Sequence, residues 1–556
     1  MNKKVCSFPI LFALLALLIG TCAVVFPASA QAAPTSTGSI TVSGTVARSY
    51  DAYQIFSANV VDGDSDAKIA TELAWASDAV RDAALPVLHS AGMPNSQTTA
   101  QEAAEWLNTD SHLTSALSAQ LARSLQSSGA VPVALNAGTT AELPCGYWLI
   151  VADDDAIAQD EAGTAPIMAL VGGSAVTVKP KAATPKVAKH VLEDSTAAWG
   201  KAADATVADD LYWRLSATVP AGLTAYDAYA VRFVDTMSAG LDPSKVAASM
   251  RVYVAAGTDG GFGAVQTGKD GHAGTEPAQG WTDITARCAT KVAADGKTFT
   301  VRTGDLVAAL GGADAFTAGA RVVAVYNAPL NSACNHGIAK GNPNEVYLRY
   351  PRSPFADQSG DAGFTRTPSD DACAYTWDLA LTKRGSDGDK PLAGAVLSIA
   401  DDRGRTLAAD GTWDAGSKAT VTTGEDGRVT VSGVDSGKLE VRELKAPKGY
   451  TAFEGTRSVT VKAEGLDVDQ VAAAKPKLTI TAESPLRADS ADGSTGSLEA
   501  SLINTPTGTP PSITTGGFMP STGDMAMYAA AAAAVAGAAL IVVALLVKRG
   551  GGSHKE

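Results

Sequence analysis

The chain has 556 residues, room for about three domains at ~150 residues each. Its formal net charge of -14 and aromatic share of 6% exclude nucleic acid as a partner, which needs clustered Lys and Arg to displace counterions. The charge favours solubility without naming a partner, and long stretches rich in Gly, Thr, Ser, Val and Ala favour a mainly β chain with many turns.

The first element in chain order is an export signal. Lys3 and Lys4 precede an apolar run from Phe8 to Phe26, then Pro27-Ala28-Ser29-Ala30. A basic start, an apolar core and a small-residue site predict a signal peptide over residues 1–30, cleaved after Ala30. The segment Gly38 to Val46 then alternates as a strand, and Tyr53-Gln54-Ile55-Phe56 reads as a second. Between Asp66 and Gln126 apolar residues recur at three- and four-residue intervals, as in Gln101 to Leu107 and Leu113 to Leu125. That spacing predicts helices inserted into an N-terminal β domain, residues 31–181. Strands resume at Tyr147 to Val151 and Ala175 to Val178.

The run Lys179-Pro180-Lys181-Ala182-Ala183-Thr184-Pro185 is a stiff, extended linker. A middle domain, residues 182–356, follows with strands at Leu211 to Val219, Arg251 to Ala255 and Arg321 to Tyr326. A third domain, residues 370–506, has short strands separated by Asp-Gly turns at 387–388, 410–411 and 426–427. Residues 507–518 form a Pro/Thr/Gly stalk. The uncharged stretch Met525 to Val547 is long enough to span a bilayer as a helix. Lys548 and Arg549 hold the tail, residues 548–556, in the cytoplasm.

Between stalk and helix stands Met519-Pro520-Ser521-Thr522-Gly523. With the signal peptide, stalk, anchor and basic tail in this order, the segment resembles a sortase sorting signal. Met519 replaces the usual Leu, an apolar residue of similar volume. The resemblance implies that a sortase cysteine attacks the Thr522 carbonyl, Gly523 departs with the tail, and an amine resolves the thioester. Val176-Thr177-Val178-Lys179-Pro180-Lys181 is similar to the pilin motif of sortase-assembled major (backbone) pilins of Gram-positive bacteria, with Lys179 where the family has Tyr and Ala182 where it has Asn. That implies Lys181 as the amine joining the next subunit, with Lys179 as the alternative.

The third domain carries a second resemblance. Leu439 to Tyr450 is similar to the E-box of these pilins, with Glu443 at the acidic position and Leu444 in place of Thr. Leu379-Ala380-Leu381-Thr382-Lys383 followed by Lys390 to Ala395 looks like the opening of a Cna B-type domain, and Ala500 to Ile503 leads to Asn504. The resemblance implies an intramolecular isopeptide bond between Lys383 and Asn504, promoted by Glu443. The residue types suit the chemistry. Burial lowers the pKa of a lysine and raises that of a carboxylic acid, so a neutral amine can attack the Asn carbonyl while the acid relays protons. Alternation with Leu379 and Leu381 puts Lys383 on the core face.

In the middle domain, Pro185 to Lys189 looks like the family's opening strand. Val234 to Leu241 resembles its D-T-L-S-x-G-L stretch, and Gly341 to Leu348 its final strand. These imply Lys189 as amine, Asp235 as acid and Asn344 as electrophile, with Asn342 as the alternative. The N-terminal domain shows no comparable triad. The fold class expected is therefore a rod of tandem immunoglobulin-like, Cna-type β-sandwiches.

Export leaves four cysteines, Cys145, Cys288, Cys334 and Cys373. Three pairings exist, and Cys288 with Cys334 is preferred because both lie in the middle domain. The acidic run Asp62 to Asp66 lacks the sixth-place Gly and twelfth-place Glu of a calcium loop, and Asp153-Asp154-Asp155 reads likewise as a solvated turn. No histidine stands in a catalytic or zinc-binding context, so no metal, cofactor or enzymatic turnover is expected. The partners implied are a pilus-specific and a housekeeping sortase, other copies of the chain, minor pilins, peptidoglycan and host surface ligands. The location implied is a wall-anchored pilus at the cell surface. The alternative is a wall-anchored adhesin or a basal or minor pilin that binds host ligands without polymerising.

Overall fold

A computed structural model describes residues 36–508, apart from 259–279 and brief stretches at 45–47, 65–66, 110–111, 154–156, 158–159, 181–183, 222–224, 227, 317, 355 and 416–417. The signal peptide, the sorting motif 519–523 and the helix expected over 525–547 lie outside these residues. Among the described residues no helix is long and apolar enough to cross a membrane. The described chain is mainly β, in tandem sandwich-like domains with few helices.

In the first domain, Thr37–Val42 lies between Thr140–Pro144 and Val176–Val178, antiparallel to the former and parallel to the latter. The facing sheet is built on the long strand Ser49–Asp62. Ile40, Val42, Trp148, Ile150 and Val178 fill the space between the two. The expected helical insertion is present as Asp78–Ser90, Ala100–Asn108 and Ser115–Gln126. Each starts at a hydroxyl N-cap, Ser77, Thr99 and Thr114, which satisfies otherwise orphaned amides. Their apolar stripes pack on Tyr53, Ile55, Phe56 and Leu149.

The middle domain is a two-sheet sandwich. One sheet runs in the order Ala198–Gly200, Lys186–Glu193, Tyr212–Val219, Ala320–Asn327, Arg251–Ala256, Thr282–Asp283. The other contains Arg232–Met237 flanked by Thr298–Arg302 and Asn342–Pro351. This second sheet extends past residue 356, where the sequence pattern suggested that the domain ends. Phe364–Arg366 and Asp370–Tyr375 both pair with Asn342–Pro351, so the strand at 370–375 closes the middle domain rather than opening the third. Only Thr376, fully buried, separates it from Trp377–Gly385, the first strand of the third domain.

In the third domain the first and last strands, Trp377–Gly385 and Ser497–Pro506, pair in parallel, with Lys383 opposite Leu502 and Gly385 opposite Asn504. The facing sheet carries Gly437–Lys445 between Val396–Ala400 and Thr456–Glu464. The Asp426-Gly427 turn needs its glycine twice over. Its φ is +73°, and a Cβ would meet Leu392 N at 2.7 Å and Lys383 O at 2.9 Å. The third domain is keyed to the middle one by Trp377 Nε1 donating to Asp204 at 2.6 Å and by Arg403 and Arg405 on Asp209 at 2.9 and 2.7 Å.

The preferred disulfide is not formed, and all four cysteines are free thiols. Membership of one domain does not imply proximity. Cys288 precedes the edge strand Ala289–Val292, whose Ala289 faces Arg302 and, through it, Arg232. Cys334 packs on Gly240, past the opposite end of Arg232–Met237; a Cβ there would lie 2.6 Å from Cys334 Cα. The length of that strand, roughly 16 Å at ~3.3 Å per step, intervenes, whereas a disulfide needs Cα atoms within about 7 Å. Denatured without reductant, the protein should take up one alkylating label at each of the four positions in peptide mapping. A Cys288–Cys334 linked peptide would contradict this arrangement.

Candidate functional site

Two fully enclosed clusters hold the residues singled out in the sequence. In the middle domain, alternation along Arg232–Met237 turns Phe233, Asp235 and Met237 inward, and Lys189 points inward from the facing sheet. Lys189, Asp235 and Asn344 are all 0% exposed. The Lys189 Nζ is paired with Asp235 Oδ2. It also lies over the rings of Trp213 and Tyr326 at 5.5 and 5.4 Å. Asn344 sits opposite Met237 on the neighbouring strand, with its Nδ2 donating to Tyr326 Oη at 2.8 Å and its Oδ1 unpartnered.

The two candidate asparagines are separated by their surroundings. Asn342 Oδ1 accepts from Asn335 N at 2.8 Å, and its Nδ2 donates to Asn335 O at 2.9 Å and Ala374 O at 3.2 Å. It is a fully satisfied clamp on the 335–341 loop. Asn344 instead has an unpartnered carbonyl oxygen and shares the Tyr326 hydroxyl with Lys189.

The electrostatics follow from desolvation. Burial pushes the Lys189 pKa down to about 8, opposed by Asp235, and pushes the Asp235 pKa up, opposed by Lys189. A second cation contributes. Lys201, largely buried, is paired with Asp370 and donates to Lys189 O at 2.8 Å, while Asp370 accepts from Lys189 N at 2.6 Å. The pair holds the Lys189 backbone from outside the core; the Asp370 charge favours the Lys189 ammonium and the Lys201 charge opposes it to a smaller extent, so burial remains the cause of the depressed pKa.

In the third domain, Lys383 ends the inward series Trp377, Leu379, Leu381, and Glu443 ends the inward series Leu439, Val441. Both side chains are 0% exposed, with Lys383 Nζ 3.4 Å from Glu443 Oε1. Lys383 Nζ donates to Leu502 O at 3.3 Å. Asn504 Nδ2 donates to both Glu443 oxygens at 2.9 and 3.0 Å, and its Oδ1 is unpartnered. Burial lowers the Lys383 pKa to about 8 against the opposing pull of Glu443. The two clusters differ in where they sit. Lys189 and Asn344 belong to facing sheets, whereas Lys383 and Asn504 belong to adjacent strands of one sheet.

Both clusters contain an amine easily made neutral, an acid and an amide carbonyl with no competing donor, which are the requirements for transamidation with loss of ammonia. Sequence reasoning missed Tyr326 and the Lys201–Asp370 pair. Neither lies in a motif, and only the inward phase of the strand Ala320–Asn327 hinted at the tyrosine. Lys179 is exposed at the end of the strand Val176–Val178, and Lys181 and Thr522 lie outside the described residues. Among the described residues no group of three or more His, Cys, Asp or Glu is arranged to hold a metal ion.

With this geometry in view, residues 378–475 match the SpaA prealbumin-like fold domain, so the third domain is of that class. The trypsin-resistant surface T6 protein of Streptococcus pyogenes serotype M6 is 30% identical over 143 residues, a match spanning 24% of this chain and 24% of that protein. Among solved structures, the T6 backbone pilin of serotype M6 Streptococcus pyogenes has a TM-score of 0.46 at 16% identity, covering 86% of this chain and 100% of that one. The major pilin SpaD from Corynebacterium diphtheriae has a TM-score of 0.42 at 15% identity, covering 85% of this chain and 98% of that one. The chain thus resembles major backbone pilins of Gram-positive bacteria.

The depressed lysine gives a pH signature in a variant that cannot react, Asn344→Ala. With a folded pKa near 8 and an unfolded value near ~10.4, the unfolded chain holds the proton between these values and the folded one does not. Stability contributed at Lys189 should therefore rise with pH across that window and be flat below it. Denaturant titrations of Asn344→Ala and Asn344→Ala/Lys189→Met should converge by about 3 kcal/mol from pH 8 to 10.4. A constant gap would contradict the depressed pKa.

Proposed function

We propose that this chain is the shaft-forming structural subunit of a covalently polymerised pilus on the cell surface. In this reading a sortase cleaves after Thr522 and joins it to Lys181 of the next subunit, with Lys179 as the alternative amine. Autocatalytic bonds Lys189–Asn344 and Lys383–Asn504, promoted by Asp235 and Glu443, stiffen each subunit. The observation that carries the reading is the pair of buried Lys/acid/Asn clusters in successive β-sandwich domains, each with its asparagine Oδ1 unpartnered. Burying an ammonium beside a carboxylate rarely stabilises a fold in itself. Two such burials next to an amide are better explained as chemistry.

Bond formation is self-directed and occurs once per site, so the chain is a sortase substrate and not an enzyme. A housekeeping sortase would attach the finished fibre to peptidoglycan after the tail holds the precursor at the membrane. Minor pilins and host ligands would meet the assembled surface. By analogy with a cross-link closing a loop of roughly 120 residues, the Lys383–Asn504 bond should remove several kcal/mol of unfolded-state entropy, and an amide resists reduction.

Intact mass spectrometry of the reduced exported region should fall short of the sequence mass by two ammonia molecules. Glu443→Ala should restore one and Asp235→Ala the other. A full mass in the unsubstituted protein would sink both triads. Polymerisation has a separate readout. Surface extracts boiled in detergent should show a ladder of covalent multimers that Lys181→Ala abolishes. A single monomeric band from the unsubstituted chain would instead favour the wall-anchored adhesin.

A further inference from the structure

The middle cluster contains a fourth reactive group. Tyr326 lies two strands from Lys189 in the same sheet, with Tyr212–Val219 between them. Its side chain crosses the core and is fully buried, held edge-on by Phe299 at 4.8 Å. Its hydroxyl is 2.9 Å from Lys189 Nζ, 3.0 Å from Asp235 Oδ2 and 2.8 Å from Asn344 Nδ2. One oxygen therefore touches the amine, the acid and the leaving nitrogen together. Among the described residues, the hydrogen bonds of the Lys383, Glu443 and Asn504 side chains include no hydroxyl. There the acid contacts the amide nitrogen directly.

We infer that Tyr326 is a catalytic residue of the middle domain's transamidation, carrying the proton from Asp235 to the departing nitrogen of Asn344. The inference rests on the proposed Lys189–Asn344 bond. A hydroxyl has one proton and two lone pairs. Asn344 Nδ2 can only donate and ionised Asp235 can only accept, so Tyr326 starts by donating to Asp235 and accepting from the amide. Its second lone pair takes an N–H of Lys189, which leaves the amine lone pair free for the Asn344 carbonyl carbon.

The protons balance as follows. Lys189 as ammonium passes one proton to Asp235, and its nitrogen bonds to Asn344 Cγ. The former amide nitrogen, now on a tetrahedral carbon, becomes basic. It takes the Tyr326 proton, and Tyr326 is refilled from Asp235. The Cγ–Nδ2 bond breaks, ammonia leaves, and the attacking nitrogen gives its surplus proton to Asp235. Of the three ammonium protons, one remains on the new amide, one leaves with ammonia and one ends on Asp235. Asp235 alone would have to serve both nitrogens, and its Oδ1 has no hydrogen-bond partner; the hydroxyl supplies the connection.

The test is time-resolved peptide mapping after cell-free synthesis of the full chain, scoring the Lys189–Asn344 and Lys383–Asn504 linked peptides in the same molecules. Tyr326→Phe should slow the middle bond about 100-fold, in the range of a lost proton-transfer group, and leave the C-terminal bond at its normal rate. Site-specific 3-fluorotyrosine at 326 keeps the shape and the hydroxyl but makes the phenol more acidic. It should shift the pH–rate profile of the middle bond alone, which a packing role would not do. Equal rates for Tyr326→Phe and the unsubstituted chain overturn the inference while leaving the triad intact. Should the phenylalanine variant fail to fold, an unchanged profile for the fluorotyrosine chain overturns it. Absence of the middle bond from the unsubstituted chain removes the triad itself, and this inference with it.

Discussion

Desolvation of two lysines governs the arrangement. An ammonium taken out of water is costly unless paired, and both Lys189 and Lys383 are 0% exposed. Each is offset by a carboxylic acid on a facing strand, so the two sheets of each sandwich must close in a register that brings amine and acid together. The same desolvation that makes the cluster expensive makes the amine easy to deprotonate. Cost and reactivity are one effect, and the surrounding apolar core sustains it.

The two sandwiches solve the problem differently. In the middle domain the amine comes from one sheet and the acid and amide from the other, so a covalent link there would tie layer to layer. In the third domain the amine and amide are on paired strands with the acid opposite, and a link would tie strand to strand. The acids differ to match. Asp235 is on the strand next to Asn344, and a tyrosine hydroxyl completes its contact with the amide nitrogen. The longer Glu443 reaches across the core to Asn504 without help.

Much of this was legible in the chain because strand alternation is a strong local signal. The phase of Leu379, Leu381 and Lys383, and that of Leu439, Val441 and Glu443, place both groups inward by pattern alone. The helical insertion was legible through a different local signal, apolar residues at three- and four-residue spacing. What depended on spatial neighbours was not. Asn342 and Asn344 share a phase, and only the Asn335 clamp on the former distinguishes them. Tyr326 is one inward residue on an apolar strand, and nothing nearby in the chain marks its hydroxyl as partnered. The domain end was misread because the strand 370–375 belongs by register to the sheet behind it. The cysteine pairing failed because chain segments in one domain can occupy opposite ends of a strand.

The join at Thr376 has a mechanical consequence. Asp370–Tyr375 is paired on one side with Ala202–Asp204 and on the other with Asn342–Pro351, and one residue later the backbone enters the seam between the third domain's first and last strands. Thr376 itself is buried and bonded to Val434 O at 3.2 Å. No slack chain is left at this joint to absorb rotation. A torque applied to either sandwich therefore reaches the other through a one-residue join between two separate ladders, braced by Trp377 on Asp204 and by Arg403 and Arg405 on Asp209.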